Sequence, residues 1–211
     1  DGSTISTAEG TQTGREVDAT RPTAPIVTLT NDTGTSATDT LTNDGSLTIT
    51  GREAGATLSY SVNGGEASAT YNPSTFDDGH YTVKVFQTDA AGNVSLAGTV
   101  SFTFDLTIGP PEPYLANDTG IASNDFVTND GSLDISGAEE GSTLTYVVDG
   151  GEASATYDPT TLSDGEHTVK IKQMDAAGNI SSFSENITFT LDRTAPDAPT
   201  LVLTADTGKG Y

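Results

Sequence analysis

The side chains in this chain with chemistry to offer are carboxylates and amides, and they recur on a schedule. Asp18, Asp105 and Asp192 stand 87 residues apart in turn. Asp32, Asp39 and Asp44 return as Asp118, Asp125 and Asp130, and the pair Asp89 and Asn93 returns as Asp175 and Asn179, in each case 86 residues later. Oxygen donors of this kind suit a hard divalent cation. Ca²⁺ accepts roughly six to eight carboxylate, amide and carbonyl oxygens in flexible geometry, whereas Mg²⁺ demands a tight octahedron and keeps its water. Taken singly, each of these residues is also an ordinary turn former, able to close an Asx-turn on its own backbone. Either reading serves one residue; the repeated set favours the cation.

Other chemistries find no foothold. There is no Cys, and the sequence has neither a Ser-His-Asp arrangement nor a phosphate-binding loop. His80 and His167 fall in comparable strand-start regions without a shared catalytic neighbourhood. Adjacent acids such as Asp77 and Asp78 cannot flank a sugar from two sides, as glycoside hydrolysis requires. The expectation is that the chain is not an enzyme and carries no catalytic residues.

The schedule reflects a tandem repeat. Gly64-Gly65-Glu66-Ala67-Ser68-Ala69-Thr70-Tyr71 recurs unchanged from Gly150 to Tyr157, and Thr42-Asn43-Asp44-Gly45-Ser46-Leu47 recurs from Thr128 to Leu133. A third copy begins where Thr204 to Gly208 echo Thr30 to Gly34. This predicts an N-terminal segment or upstream tail over 1–21, one domain over 22–105, a second over 106–192 and the start of a truncated repeat over 193–211, the whole being a piece of something longer. Head-to-tail duplication of an entire body is the habit of spacers and stalks.

Composition bounds the rest. Hydrophobic residues make up 33% of the 211, Trp is absent and the formal charge is −22. Small domains of this kind bury modest cores and benefit from an added staple, which without Cys is not a disulfide. So acidic a chain repels nucleic acid and anionic membranes, and no run of 18 apolar residues offers a membrane span. An acidic surface that keeps the protein soluble in salt is the simpler alternative to a metal.

These residues must be positioned by strands. Runs rich in Thr, Val, Ile, Tyr and Phe alternate with polar residues and are separated by Gly, Asn, Asp and Pro clusters. In the first copy they predict strands near 26–30, 46–50, 57–62, 67–71, 81–88 and 100–104, with a short extra strand between Tyr71 and Tyr81. The fold class expected is all-β: two tandem immunoglobulin-like β-sandwich domains. Tyr81, Val83 and Val85 share the core face with counterparts His167, Val169 and Ile171, and Phe86 on the other face is expected to be an exposed ring. His167 is expected to fill the semi-buried place of Tyr81.

In an up-and-down sandwich, the loop 31–45 and the strand end at Asp105 lie at one pole. The loops 51–56 and 89–93 lie at the other, beside Asp18. End-to-end stacking would then bring Asp32, Asp39, Asp44 and Asp105 of the first domain towards Asp175, Asn179, Glu139 and Glu140 of the second. Asp118, Asp125, Asp130 and Asp192 would serve the next junction, and Asp18, Glu53, Asp89 and Asn93 the preceding one. Converging carboxylates repel by about 4 kcal/mol per close pair at an effective dielectric near 20, and bound Ca²⁺ would reconcile them. The partners expected are neighbouring repeats of the same polypeptide.

The linker Asp, the Thr23-Ala24-Pro25 lead-in, Asn-Asp-Thr-Gly, Thr-Asn-Asp-Gly-Ser-Leu and Asp-Ala-Ala-Gly-Asn together resemble the bacterial immunoglobulin-like repeats of giant calcium-dependent surface adhesins, over nearly all of residues 22–208. Gly109-Pro110-Pro111-Glu112-Pro113 departs from the Thr-Ala-Pro pattern. The resemblance implies an extracellular, calcium-stiffened extender on a bacterial cell surface, often exported by type I secretion and linked to biofilms, which does not itself grip the host or surface ligand. The rival is a carbohydrate- or ligand-binding module, for which Phe86, Tyr114 and Phe126 are the aromatic candidates and none is repeated.

Overall fold

The computed structural model describes residues 17–202, 204, 205 and 208. The chain divides between Thr107 and Ile108 into two compact units. Residues 1–16 of the expected segment 1–21 and the end of the truncated third repeat lie outside the described residues, and Thr200 to Val202 form no strand.

In the first unit the strands are β1 (Ile26–Leu29), β2 (Leu41–Thr42), β3 (Leu47–Thr50), β4 (Thr57–Val62), β5 (Gly79–Thr88) and β6 (Gly98–Phe104). Strand β1 pairs with β3, and a four-stranded sheet runs in the order β2-β6-β5-β4. Every pairing is antiparallel except β2 with β6, which is parallel. Val27, Val83, Val85, Phe102 and Phe104 are buried together between the two sheets. The period-two burial along β5 is what the alternation of its sequence requires, since successive side chains point to opposite faces.

The second unit repeats the plan with β7 (Glu112–Leu115), β8 (Val127–Thr128), β9 (Leu133–Ser136), β10 (Thr143–Val148), β11 (Gly165–Met174) and β12 (Ile187–Leu191). Its sheets are β7-β9 and β10-β11-β12-β8, and Val169, Ile187, Phe189 and Leu191 form the core. The all-β, tandem immunoglobulin-like reading holds, and no helix among the described residues is long and apolar enough to cross a membrane.

Four expectations need correction. The block 67–71 is not a strand: it touches β4 through one bridge, Tyr60 to Ser68. Asn63 and Gly64 have φ of 50° and 77°, a left-handed turn that the following glycine-rich residues leave without strand pairing. Its role is to deliver Tyr71, whose hydroxyl donates to the Gly45 carbonyl at 2.6 Å; Tyr157 does the same to Gly131 at 2.6 Å. Between Tyr71 and Tyr81 the chain makes a 3-10 turn, Pro73–Thr75, capped by Asn72, rather than a strand. The loop 31–45 contains β2, too short for any periodicity to reveal. Phe86 is half-buried, not exposed.

His167 takes the place of Tyr81 as expected. Its Nε2 lies 2.8 Å from the Ser163 carbonyl, where Tyr81 donates its hydroxyl to the equivalent Asp77 carbonyl at 3.0 Å.

Candidate functional site

The acids expected to bind metal first serve the backbone. In the first unit Asp32 Oδ2 accepts the Thr40 amide at 3.0 Å and Asp39 Oδ1 accepts that of Leu41 at 3.1 Å. Asp44 accepts the Ser46 amide at 2.9 Å and the Asn31 side-chain amide at 2.6 Å. The hydroxyl of Ser46 and the amide of Asn31 hold the Asp44 carboxyl below the usual carboxylate range. Thr42 is fully buried at the centre of this loop. Its Oγ1 lies 3.1 and 3.2 Å from the carbonyl oxygens of Asn31 and Asp44, either of which takes its proton, and accepts the Asp44 amide at 3.0 Å.

The second unit copies this loop. Asp118 accepts from Phe126, Asp125 from Val127, and Asp130 from Ser132 and Asn117, all within 3.1 Å. Asp130 is likewise held below its usual range, chiefly by Ser132 and Asn117, with a smaller contribution from the charge of Arg193. Arg193 stands where the first unit has Leu106, and donates to the carbonyls of Leu162 and Pro159 at 2.9 Å each.

At the opposite pole Asp89 closes its turn by accepting the Ala91 and Asn93 amides at 2.9 and 2.8 Å, while Asn93 Nδ2 reaches its other oxygen at 2.8 Å. The Asn93 side chain holds the Asp89 carboxyl below its usual range, and Asn93 Nδ2 also lies 3.2 Å from the Asp18 carbonyl. Asp18, Asp89 and Asn93 are therefore brought together. Asp175 and Asn179 repeat the turn, at 2.8 Å for both contacts. Asp105 and Asp192 accept the amides of Thr107 and Thr194 at 3.1 and 3.0 Å. Glu140 is exposed beside Glu139, whose amide binds Gln173.

Among the described residues, no three His, Asp or Glu side chains stand as a ready-made metal group. One observation does fit a cation: Asp32 Oδ1 and its repeat Asp118 Oδ1 are buried with no hydrogen-bond partner. A buried carboxylate oxygen without a donor is costly, and a hard cation supplies what the backbone does not.

Two repeated devices were missed in the sequence. Gln87 and Gln173 are buried at the end of the core face. Gln87 Nε2 donates to Thr23 and Gly51 at 2.6 and 3.1 Å and its Oε1 accepts the Glu53 amide at 2.8 Å. Gln173 binds Gly109, Gly137 and Glu139 at 2.8, 3.0 and 2.9 Å. This clamps the incoming chain to each unit. Asp78 and Asp164 clamp the outgoing chain: Asp78 accepts the Leu106 amide and the Thr107 hydroxyl at 2.7 and 2.8 Å, and Asp164 those of Arg193 and Thr194 at 3.1 and 2.7 Å. The recurrence of both Gln and Asp-Gly at the repeat spacing was the available signal.

No curated protein matches the chain. Among solved structures it is similar to the fibronectin(III)-like modules of Clostridium thermocellum CbhA, at 11% identity over 86% of this chain and 94% of that one, with a TM-score of 0.37. The family that matches is a non-catalytic structural module, and no enzymatic family is indicated. Residues 18–106 and 110–193 each match the bacterial Ig-like domain, and the chain belongs to that family.

Proposed function

We infer that this chain is a spacer: a structural extender segment of a secreted bacterial surface adhesin, whose tandem domains are stiffened by Ca²⁺ at their junctions. The observation that carries the reading is the pair of clamps. Thr107 is bonded to the first unit and Gly109 to the second, so only Ile108 separates two anchored points. A tether this short suits a part that transmits force and holds its length. The extracellular location follows from the same reading, since domains of this family are common in surface proteins.

Calcium is supported by the spacing of Asp18, Asp105 and Asp192 and by the partnerless oxygens of Asp32 and Asp118. Asp32, Asp39, Asp44, Asp105, Asp175, Asn179 and Glu140 are the proposed donors for the central ion. Bound, the ion would neutralise carboxylates that otherwise repel, and it would stabilise the folded state by mass action. The chain's own part is to hold these oxygens in place through the Asx turns. Titration calorimetry with CaCl₂ tests this: saturable binding that Asp32→Asn and Asp105→Asn weaken at least ten-fold is expected, and no heat above dilution at millimolar Ca²⁺ would refute it.

A further inference from the structure

The two repeats differ in one place by a built feature. In the first, Val85 pairs with Gly98 and Val83 with Val100, leaving one residue, Thr99, between. In the second, Ile171 is bonded to Ser184 through its carbonyl and amide, at 2.7 and 3.0 Å, and Val169 pairs with Ile187. Two residues, Glu185 and Asn186, now lie between, so the strand carries a bulge. Bulges re-aim side chains and are concentrated beside functional sites.

The bulge opens a cleft. A Cβ at Gly98 would overlap the carbonyl of Pro25, so the absence of a side chain lets the incoming strand close on β6. The second repeat has Ser184 there, whose Cβ keeps the corresponding Pro111 strand away. Between the two strands lies a cleft of about 640 Å³, lined by Glu112, Tyr114, Phe126, Phe183, Glu185 and Asn186 among others. Its size falls within the roughly 300–1,000 Å³ of ligand sites, which pair apolar walls with a few polar groups.

All three aromatic rings are particular to this repeat: the register and turns place Thr28, Thr40 and Ala97 at the corresponding positions of the first. Tyr114 and Phe126 are each 49% exposed and Phe183 37%, so the rings are presented rather than packed away. Phe126 has φ of 59° and Thr40, at the same place in the first repeat, 61°, so the shared backbone turn presents a ring only in the second repeat. Lys170 and Lys172 stand over the Phe183 ring, 4.7 and 5.2 Å from its centroid. The lining thus offers groups that can donate and accept (the hydroxyl of Tyr114 and the amide of Asn186) and acceptors (Glu112, Glu185) around an aromatic floor.

The geometry points to a saccharide-binding cleft on the second repeat, taking a neutral sugar whose C–H face packs on the rings while its hydroxyls bridge the mixed rim. A hydroxyl both donates and accepts, which matches a lining that does both. An anion would meet the two glutamates. The site is independent of the calcium reading and makes the second repeat a weak lectin within an otherwise mechanical segment.

The test is a glycan array of neutral, sialylated and sulfated oligosaccharides probed with the full chain, followed by titration of the captured neutral glycan. Choline and a proline-rich decapeptide are titrated in parallel. Tyr114→Thr, Phe126→Thr and Phe183→Ala each install the residue that the first repeat folds with, so each is expected to fold and to weaken binding at least ten-fold. Glu185→Gln, at an exposed carboxylate, is expected to weaken it several-fold with an unchanged melting point. Absence of neutral-glycan binding at millimolar concentration, binding of choline or the peptide instead, or equal binding by the triple variant would each overturn the proposal.

Discussion

Gln173, buried near the end of β11, donates through Nε2 to the carbonyl of Gly109 at 2.8 Å, 64 residues away in the chain. Gln87 makes the same bond to Thr23 across the same separation. One buried amide thus fixes the incoming chain, the β9 hairpin at Gly137 and the turn at Glu139. Gln173→Leu removes three hydrogen bonds and strands two carbonyls and an amide. A loss of about 3 kcal/mol is expected, read as a melting-point fall of roughly 10 °C or more for the second repeat and as faster hydrogen exchange at the Glu139 amide.

The unchanged Gly-Gly-Glu-Ala-Ser-Ala-Thr-Tyr block has its physical reason in its last residue. The Tyr71 hydroxyl, bonded to Gly45 and half-buried, has its pKa pushed up to about 12 by burial and by the Asp44 charge; that of Tyr157 is pushed up to about 12, chiefly by burial. Tyr71→Phe and Tyr157→Phe should each cost about 1 kcal/mol, measured by urea unfolding. An unchanged midpoint would show that the bond to the loop carbonyl contributes nothing.

How far the sequence could be read depends on length and on who the partner is. The alternation of Val83 and Val85 reveals β5 because it runs for ten residues. Leu41–Thr42 cannot reveal β2, because two residues carry no period and their pairing is with a parallel strand 62 residues on. Gln87 continues the core stripe as its polar end, satisfied by backbone groups remote in sequence. The aspartates were legible as turn formers because Asx-turns are local. The set of oxygens that one cation would gather depends instead on segments that no spacing within a copy relates.

The stability of the second repeat should depend on pH between about 5 and 8. His167 is raised above the ordinary histidine range, first by its bond to the Ser163 carbonyl and then by Asp149, 2.7 Å from Nδ1, against burial. A raised folded pKa means stability that is fully present below the ordinary histidine value and lost as pH rises through the folded one. Asp149 is lowered: burial opposes its charge, and the Thr168 amide and His167 outweigh burial, so its contribution appears above the ordinary carboxylate value and is lost in acid. Unfolding midpoints between pH 5 and pH 8 should fall with rising pH for the second repeat, and His167→Tyr should remove the slope.

The crowding at Gly98 has a one-sided consequence. Gly98→Ser drives a side chain into the Pro25 carbonyl and should cost about 2 kcal/mol through forced backbone shift. The reverse change, Ser184→Gly, adds no clash but removes the hydroxyl that accepts the buried Ile171 amide and should cost about 1 kcal/mol or more for that separate reason, both read by thermal unfolding. A Gly98→Ser variant as stable as the parent would mean that the close approach at Pro25 does not depend on the missing side chain.

The central claim is that Ca²⁺ stiffens the segment, and small-angle scattering of the two-repeat chain with a parallel melting curve tests it most directly. With millimolar Ca²⁺ the melting point should rise by several degrees and the maximum dimension should settle at a single extended value, both reversed by EGTA and poorly reproduced by Mg²⁺. An identical melting point and an identical scattering profile in Ca²⁺ and in EGTA would contradict it.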